Sequence, residues 1–327
     1  MALTQVLVLP ACPPAYRERL LETAKGRCAF YFKDSSWTPE FYHQMLERAE
    51  VILGEPRNED LAWCKNLRMV QSMSSGVNYY VQGGCFPRDA MLYCMTGLYG
   101  NIIAEHMLAM TMSLCRRLPE YRDQQHTGAW NRLLYDKPVE DSTVLILGAG
   151  DIGTTLATWL RPMAGRIIGV RRTLREFPGC YDEMYTLRDL PALLPRADFV
   201  LCVLPQTPQT MGLLDESMLR LMKDDAVLVN AGRGSLIDQD ALCRLLAEGK
   251  FWGVGLDVTT PEPLPEDHPL WYAPRLILTP HAAGNSYAPG SPLDRKIWKF
   301  MIENLGRYLD GEAPRCQVDF STGYKKA

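Results

Sequence analysis

The stretch Ser142–Gly153, STVLILGAGDIG, decides the fold of the chain around it. Val144–Leu147 is a continuous apolar run of the length of a buried strand, and a glycine cluster follows it directly. Gly148, Gly150 and Gly153 fit the pattern G-x-G-x-x-G, and the next residues, TTLATWLRP, are typical of a helix. We therefore predict a strand, a tight turn and a helix, which together begin a parallel sheet with crossover helices.

The same turn predicts a dinucleotide-binding site. Gly148 permits the tight turn, Gly150 lets the backbone approach a pyrophosphate, and Gly153 lets the helix pack closely on the strand. The helix N-terminus, with Asp151 and Ile152 in its first turn, offers unpaired N–H groups to the phosphates. A plain glycine-rich turn is the alternative, but the strand before it and the helix after it favour the dinucleotide.

The residues after the next predicted strand, RIIGV, indicate which dinucleotide is bound. Enzymes that use NAD usually have an acidic residue there, which binds the adenosine ribose. This chain has Arg171, Arg172 and Thr173 instead. Guanidinium groups bind phosphate through paired, charge-assisted hydrogen bonds, whereas a carboxylate would repel it. We expect NADP(H) as the preferred cofactor, and NAD(H) stays open if these arginines are only an exposed basic turn.

Apolar runs alternate with helical stretches along the rest of the chain. The N-terminal part reads QVLVLP, PPAYRERLLETAKG, FYHQMLERAE, VILG and LRMVQSM, which again predicts parallel strands with crossover helices. A length of 327 residues exceeds what one hydrophobic core usually supports, so we expect two α/β domains. NIIAEHMLAMTMSLCRRL, from Asn101 to about Leu118, predicts a long apolar helix that Asn101 caps.

The composition argues against several classes of function. The formal net charge of −3 gives no reason to expect nucleic acid or an anionic membrane as a partner. The N-terminal apolar run has no basic flank and ends at Pro10, so we expect neither a signal peptide nor a membrane span. The ten cysteines show no Cys-x-x-Cys spacing, so no metal is expected. Several, such as Cys115 and Cys202, lie in apolar runs, which suits a reducing cytoplasm.

Ionisable side chains follow three later apolar runs. Arg233 follows AVLVN, Asp257 and Glu262 follow GVGL, and His281 follows LILTP. Because the carboxyl ends of parallel strands meet at one edge of a sheet, we expect these side chains to lie close together. The sequence therefore predicts an active site at this edge.

These residue types suit the reversible reduction of a ketone beside a carboxylate. Arg233 can bind the carboxylate with two hydrogen bonds, and His281 can give or take the proton near neutral pH. Glu262 can hold the imidazole in one tautomer and favour its protonated form. A structural loop arginine, a solvated loop carboxylate and a structural histidine are the alternatives. His106, in the apolar helix, is expected to be a packing residue.

The order of several segments resembles one family, the D-isomer-specific 2-hydroxyacid dehydrogenases, over nearly the whole chain. The segments are TGLYGNIIAEHMLAM, GAGDIG, LPQTPQTMGLLD, VLVNAGRGSLID, GLDVTTPEPLP, HPLW and LTPHAAG. The resemblance implies an α/β fold of two doubly wound parallel-sheet domains. A central Rossmann NAD(P)-binding domain, residues 109–283, would be inserted in a flavodoxin-like substrate domain made of residues 1–108 and 284–327. Thr259 and Thr260 depart from the family, which commonly has an aromatic and an acidic residue there.

The resemblance also assigns roles to particular residues. Arg233 resembles the substrate-binding arginine, Glu262 and His281 resemble the catalytic pair, and Asp257 resembles the aspartate near the nicotinamide carboxamide. Further cofactor contacts are expected at Leu204, Pro205, Thr210, Ala231, His281 and Gly284. The loop SMSSGVNYY resembles the substrate loop, where backbone N–H groups of Ser75, Gly76 and Val77 would bind the carboxylate, unless it is only a serine-rich turn. The helix after residue 100 resembles the dimer-contact helix, which implies a homodimer.

The ending QVDFSTGY and the two arginines resemble the glyoxylate and hydroxypyruvate reductase branch, while other 2-oxo acids stay open as substrates. A non-catalytic, cofactor-sensing interaction protein on the same fold is the alternative from another class. A serine hydrolase is set aside because SMSSG lacks the leading glycine of a nucleophile elbow. Five side chains could either shape the substrate pocket or only pack: Tyr79, Tyr80, Met95, Tyr99 and Trp130.

Overall fold

Two parallel β-sheets organise the chain, one in each of two units that are defined by their internal contacts. The computed structural model describes residues 2–174, 176–284 and 288–326. The first unit comprises Met1–Leu98 and Ser286–Ala327, and the second comprises Tyr99–Asn285. The second unit is thus inserted between the two segments of the first, as the family resemblance implies.

The strands and helices alternate through most of the chain. The strands are β1 (Thr4–Val8), β2 (Cys28–Phe32), β3 (Val51–Leu53), β4 (Met69–Gln71), β5 (Met91–Tyr93), β6 (Thr143–Leu147), β7 (Arg166–Val170), β8 (Glu183–Tyr185), β9 (Phe199–Cys202), β10 (Val227–Asn230), β11 (Gly253–Leu256), β12 (Leu276–Leu278), β13 (Val318–Asp319) and β14 (Tyr324–Lys325). The α-helices are α1 (Pro14–Ala24), α2 (Pro39–Arg48), α3 (Asn78–Gln82), α4 (Gly100–Cys115), α5 (Leu118–Thr127), α6 (Asp151–Leu160), α7 (Leu190–Leu193), α8 (Glu216–Leu221), α9 (Gln239–Ala247) and α10 (Pro292–Leu309). Short 3₁₀ helices occur at Asp60–Trp63, Leu187–Asp189, Leu194–Arg196, Gly234–Leu236 and Pro269–Tyr272.

The first unit has a five-stranded sheet in the order β2-β1-β3-β4-β5, with every pair parallel. This is the flavodoxin-like order, in which the chain reverses direction across the sheet between β1 and β3. Its central strands are apolar and buried, and Leu7, Ile52 and Val70 pack in one cluster with Leu46 of α2. The prediction of a flavodoxin-like first domain is confirmed.

The second unit has a seven-stranded parallel sheet in the order β12-β11-β10-β9-β6-β7-β8. Counted from β6, this is the Rossmann order with one added strand at the β12 edge. Alternate residues of each strand face opposite layers, as strand geometry requires. Leu145 and Leu147 face the layer that contains α9, whereas Val144 and Ile146 face the layer that contains α4 and α6. The Rossmann prediction is confirmed.

Several helices begin where the sequence has a capping residue followed by proline or an acidic residue. The Thr38 side chain accepts a hydrogen bond from the Phe41 N–H at the start of α2, and Ser291 does the same for Asp294 in α10. In the second unit, the Asp238 carboxylate accepts from the Ala241 N–H at the start of α9. These caps satisfy N–H groups that lack a partner within their helix.

The long apolar helix α4 differs from its prediction at both ends. It begins at Gly100, with Tyr99 in the N-cap position, so the prediction that Asn101 caps it is wrong. It ends at Cys115 because Arg117 adopts a left-handed backbone conformation, φ 55°, that no α-helix can continue through. The helix packs on the second sheet and is assigned to the second unit, whereas the sequence places the domain boundary within it, after residue 108. In the part of the chain that the structure describes, no helix has the length and apolar character required to cross a bilayer.

Candidate active site

The loops that follow the strands of the second sheet lie along one edge. The Ala231 N–H donates to the Cys202 carbonyl, and the Asp257 N–H donates to the Asn230 carbonyl, at 3.1 and 2.9 Å. The His281 N–H donates to the Asp257 carbonyl at 2.7 Å, so His281, three residues after β12, lies directly beside the residue that follows β11. These backbone bonds bring the ends of β9 to β12 into one row.

His281 and Glu262 form a hydrogen-bonded pair at this edge. His281 Nδ1 lies 2.8 Å from Glu262 Oε2, and the second carboxylate oxygen, Oε1, accepts from the Thr259 N–H at 3.1 Å. The two side chains are 50% and 38% exposed, so the pair remains accessible. Among the described residues nothing binds His281 Nε2. That nitrogen can therefore exchange a proton with a bound molecule while Glu262 fixes the ring.

A buried carboxylate holds the backbone of the histidine segment. His281 adopts φ 52°, a left-handed conformation that is strained for any residue other than glycine. Asp257, only 1% exposed, accepts hydrogen bonds from the Ala282 N–H at 2.8 Å and the Ala283 N–H at 3.1 Å. These bonds fix the two residues after His281, and its own N–H donates to the Asp257 carbonyl. Asp257 thus stabilises the turn that carries the histidine.

Two further residues contact this carboxylate, and the sequence did not indicate either of them. Thr279 Oγ1 donates to Asp257 Oδ1 at 2.6 Å, and His106 Nε2 lies 3.0 Å from Thr279 Oγ1 and 3.6 Å from Asp257 Oδ1. His106 therefore does more than pack within α4, because it hydrogen-bonds at the active-site edge. No local motif could have shown this pairing, since the two residues are 173 positions apart.

Arg233 lies in an extended segment directly after β10. The buried Asn230 side chain donates to the Arg233 carbonyl at 2.9 Å and accepts from the Gly232 N–H at 3.0 Å. The guanidinium donates to the Gly232 carbonyl at 2.6 Å. Desolvation lowers the pKa of Arg233, whereas the negative charge of Glu262 acts in the opposite direction. The guanidinium stays protonated, because arginine does not lose its proton in proteins.

The glycine turn after β6 has the geometry that a pyrophosphate requires. Gly148 adopts φ 114°, and a Cβ at Gly153 would lie 2.2 Å from the Gly148 carbonyl oxygen, so both positions need glycine. At Gly150 an added Cβ would meet no described atom within 4 Å, so the backbone there faces open space. The turn leads into α6, which begins at Asp151. An open backbone at a helix N-terminus fits the diphosphate of a dinucleotide.

The segment after β7 places the arginines at the same edge. Val170 ends the strand, and the Arg171 N–H donates to the Tyr185 carbonyl of β8 at 3.0 Å. Arg172 and Thr173 are exposed, and no acidic residue occurs from 171 to 174. The basic character of this turn suits an additional phosphate.

The remaining predicted cofactor contacts also follow strands of the second sheet. Leu204 and Pro205 follow β9, and Thr210 closes their loop by donating from Oγ1 to the Pro205 carbonyl at 2.7 Å. Ala231 follows β10, and Gly284 lies beyond His281. Across residues 2–174, 176–284 and 288–326, no group of three or more His, Cys, Asp or Glu side chains is arranged to hold a metal ion.

The predicted substrate loop lies in the first unit, at the carboxyl end of β4. The backbone N–H groups of Ser75, Gly76 and Val77 make no hydrogen bond to any residue that the structure describes. The loop is held from one side by β5 and its extension, because Ser75 Oγ donates to the Met95 carbonyl at 3.0 Å and the Met95 N–H donates to the Ser74 carbonyl at 2.9 Å. Successive N–H groups without a partner among the described residues can donate hydrogen bonds to an anion.

The five candidate pocket side chains have very different environments. Tyr80, Met95 and Tyr99 are buried, and Tyr80 packs in the hydrophobic cluster of the first sheet. Tyr79 is 42% exposed, and Trp130 is almost fully exposed. Packing therefore accounts for Tyr80, whereas Tyr79 and Trp130 are accessible to solvent.

The fold and the residues at the carboxyl edge of the second sheet define a class, the nicotinamide-dependent dehydrogenases of two α/β domains. Residues 108–283 match the family model described as D-isomer specific 2-hydroxyacid dehydrogenase, NAD binding domain, which is more than half of the chain. The chain belongs to the D-isomer specific 2-hydroxyacid dehydrogenase family. It is therefore an NAD(P)-dependent oxidoreductase, as the sequence predicts.

Individual relatives agree with this assignment. A glyoxylate reductase/hydroxypyruvate reductase from Mus musculus is 31% identical over 260 residues, which cover 76% of this chain and 76% of the relative. The crystal structure of a D-isomer specific 2-hydroxyacid dehydrogenase family protein from Aeromonas salmonicida superposes with a TM-score of 0.84 at 32% identity, covering 97% of this chain and 99% of that chain.

A D-isomer specific 2-hydroxyacid dehydrogenase from Xanthobacter autotrophicus, in complex with NADPH and MES, superposes with a TM-score of 0.79 at 25% identity. The superposition covers 98% of this chain and all of that one. The alternative of a non-catalytic sensor on the same fold gains no support from these relatives.

Proposed function

We propose that this protein reduces a small 2-oxo acid, with glyoxylate or hydroxypyruvate as the leading substrates and NADPH as the preferred reductant. The observation that carries the proposal is the His281–Glu262 pair, whose 2.8 Å hydrogen bond leaves Nε2 accessible at the same sheet edge as Arg233. The name of the mouse relative supports the choice of substrate.

Each residue of the proposed site has a separate role. Arg233 binds the substrate carboxylate, and His281 Nε2 donates the proton that the developing alkoxide needs. Glu262 holds the imidazole at Nδ1, so that Nε2 keeps one orientation. The nicotinamide, when bound, supplies the hydride. In the first unit, taken by itself, the N–H groups of Ser75–Val77 would suit a carboxylate of the substrate.

The proposed cofactor site follows the carboxyl edge of the second sheet. The turn Gly148–Gly153 would bind the diphosphate, because its backbone is open at Gly150, and Asp257 would contact the nicotinamide. The preference for NADP(H) over NAD(H) rests on Arg171 and Arg172, with Thr173 as a third polar contact. We assign the cofactor to the domain of residues 109–283. The substrate domain comprises residues 1–108 and 284–327, and the substrate loop belongs to its first segment.

The test of this function is the oxidation of NADPH and of NADH by the purified protein, followed by absorbance. The substrate panel contains glyoxylate, hydroxypyruvate, pyruvate, phenylpyruvate and branched 2-oxo acids. We expect turnover with NADPH and with glyoxylate or hydroxypyruvate above the others. Equal rates with NADH would contradict the cofactor preference, and absence of turnover across the panel, in a sample that binds NADPH, would contradict the function.

We further propose that the protein works in a reducing compartment, the cytoplasm. The support is the packing of its thiols: Cys115 and Cys202 are buried in the two layers of the second unit, where they act as small apolar side chains. Burial raises the pKa of Cys115 to about 11, so its thiol stays protonated near neutral pH. A reducing environment preserves such thiols.

A further inference from the structure

Glu55 lies two residues after β3 and contacts the segment that enters the substrate loop. Its Oε1 accepts a hydrogen bond from Ser72 Oγ at 2.8 Å and another from the Met73 N–H at 2.7 Å. Ser72 Oγ also accepts from the Ser74 N–H at 3.0 Å. One carboxylate oxygen therefore fixes the backbone just before the three unpaired N–H groups of Ser75–Val77.

The other oxygen of Glu55 contacts the residues that follow the loop. Tyr79 donates a short hydrogen bond from its hydroxyl to Glu55 Oε2. Tyr80 lies farther away, with its hydroxyl 3.3 Å from Oε2, and donates instead to the Pro56 carbonyl at 2.6 Å. Burial, followed by the charge of Glu55, raises the pKa of both phenols, so they remain protonated donors. The contact with Tyr79 is therefore the main one on this side.

We infer that Glu55 is a positioning residue that holds both ends of the Ser75–Val77 loop, so that its N–H groups keep the spacing required by a substrate carboxylate. The inference rests on the proposed function of this loop. On its other side the loop is held by the bonds of Ser74 and Ser75 to Met95. A carboxylate is suited to this task because its two oxygens accept from donors on opposite sides at once.

A general structural role would also predict that loss of Glu55 weakens the protein, so the two roles must be separated. A positioning residue changes the binding of the oxo acid without changing the binding of the cofactor. A structural residue lowers the melting temperature without a selective change in KM. The informative readout is therefore the KM for the oxo acid compared with the kcat and with the Kd for NADPH.

The experiment compares Glu55→Ala, Glu55→Gln and the control Glu50→Ala. Glu50 lies at the opposite end of β3, where its Oε1 accepts from the Gln5 N–H at 3.2 Å. We expect Glu55→Ala to raise the KM for the preferred oxo acid about tenfold or more, because displaced donors bind poorly. Glu55→Gln keeps one acceptor oxygen for Ser72 and Met73, and its amide can donate to the Tyr79 hydroxyl, so its KM should stay within about threefold of wild type.

The Kd for NADPH should be unchanged in all three variants. A wild-type KM in Glu55→Ala, with the same melting temperature as Glu50→Ala, would overturn the inference. If Glu55→Ala does not fold, Tyr79→Phe replaces it, since it removes one hydrogen bond from a partly exposed side chain. We then expect a KM about threefold higher, and an unchanged KM would overturn the inference.

Amide hydrogen exchange separates this inference from the proposed function. If the wild-type protein reduces no 2-oxo acid, the proposed function fails, but the effect of the Glu55 hydrogen bonds on the loop can still be measured. Peptides that span residues 72–80 should exchange faster in Glu55→Ala than in Glu50→Ala, because the Met73 N–H loses its acceptor. Equal exchange in these two variants would overturn the role of Glu55.

Discussion

His281 combines a strained backbone with an accessible imidazole nitrogen, and its removal tests the proton transfer directly. We expect His281→Ala to lower kcat by at least about 100-fold, because no other described side chain takes the place of Nε2. The Kd for NADPH should change less than about twofold, since the diphosphate turn lies elsewhere on the edge. His126→Ala, an exposed position at the end of α5, is the matched control. Near wild-type kcat in His281→Ala would refute the acid–base role.

Glu262 is predicted to hold the imidazole that donates the proton. Its Oε2 lies 2.8 Å from His281 Nδ1, and its Oε1 accepts from the Thr259 N–H at 3.1 Å. Glu262→Ala removes the partner that fixes the ring, so kcat should fall at least about tenfold while the Kd for NADPH stays unchanged. A wild-type kcat in Glu262→Ala would show that the carboxylate does not position His281.

The sequence could predict those site residues that follow a strand. Arg233, Glu262 and His281 each follow a predicted strand, and the structure brings the last two within hydrogen-bonding distance. Their roles stay predictions until the variants are measured. Glu55 and His106 were missed because their partners are 17 or more positions away and no motif links them. Contacts of this kind follow from packing, which a sequence pattern does not contain.

At the scale of elements, the turn between β6 and α6 is predicted to tolerate no side chain at Gly153. An added Cβ would lie 2.2 Å from the Gly148 carbonyl oxygen, so the turn must move. We expect Gly153→Ala to lower the free energy of unfolding by about 1–3 kcal/mol and to weaken NADPH binding. Gly179→Ala is the control, because its Cβ would meet no described atom within 4 Å. Thermal melting and NADPH titration would reveal the effect, and equal behaviour of the two variants would argue against it.

The loop after β7 is predicted to select between the two nicotinamide dinucleotides. Arg171→Asp combined with Arg172→Ala replaces two cations by one anion where the second phosphate of NADP would lie. We expect the Kd for NADPH to rise at least about tenfold more than the Kd for NADH, measured by titration of each cofactor. An equal effect on both cofactors would mean that these arginines do not bind that phosphate.

Helix and strand positions could be predicted well where one hydrophobic pattern dominates. The apolar run Val144–Leu147 lies within β6, and the apolar segment after residue 100 forms α4. The ends of α4 could not be predicted, because the left-handed conformation of Arg117 has no signature in its residue type. The two-residue strands β13 and β14 were also missed, since two residues are too few to show alternation.

At the scale of the whole molecule, we propose a homodimer through α4, as the resemblance implies, with the exposed segment after α5 as an added contact. Trp130 is 99% exposed and Leu134 is 82% exposed, an apolar surface that a second copy could cover. Trp130→Ser combined with Leu134→Ser should lower the mass measured by light scattering from that of a dimer to that of a monomer. Leu21→Ser, at an exposed leucine of α1, is the control. A wild-type mass equal to one chain would refute the dimer.

The insertion of one unit within the other constrains the order in which the protein can fold during synthesis. All five strands of the first sheet precede Tyr99, but α10 completes that unit from the far end of the chain: Trp298 stacks on Tyr16 at 5.0 Å, and Asn304 donates to Gln71 at 2.6 Å. The ribosome must therefore make the whole nucleotide-binding unit before α10 emerges. Until then, the side of α1 that carries Tyr16 lacks its cover by Trp298, and the unfinished first unit exposes apolar surface on which a nascent chain can misassociate.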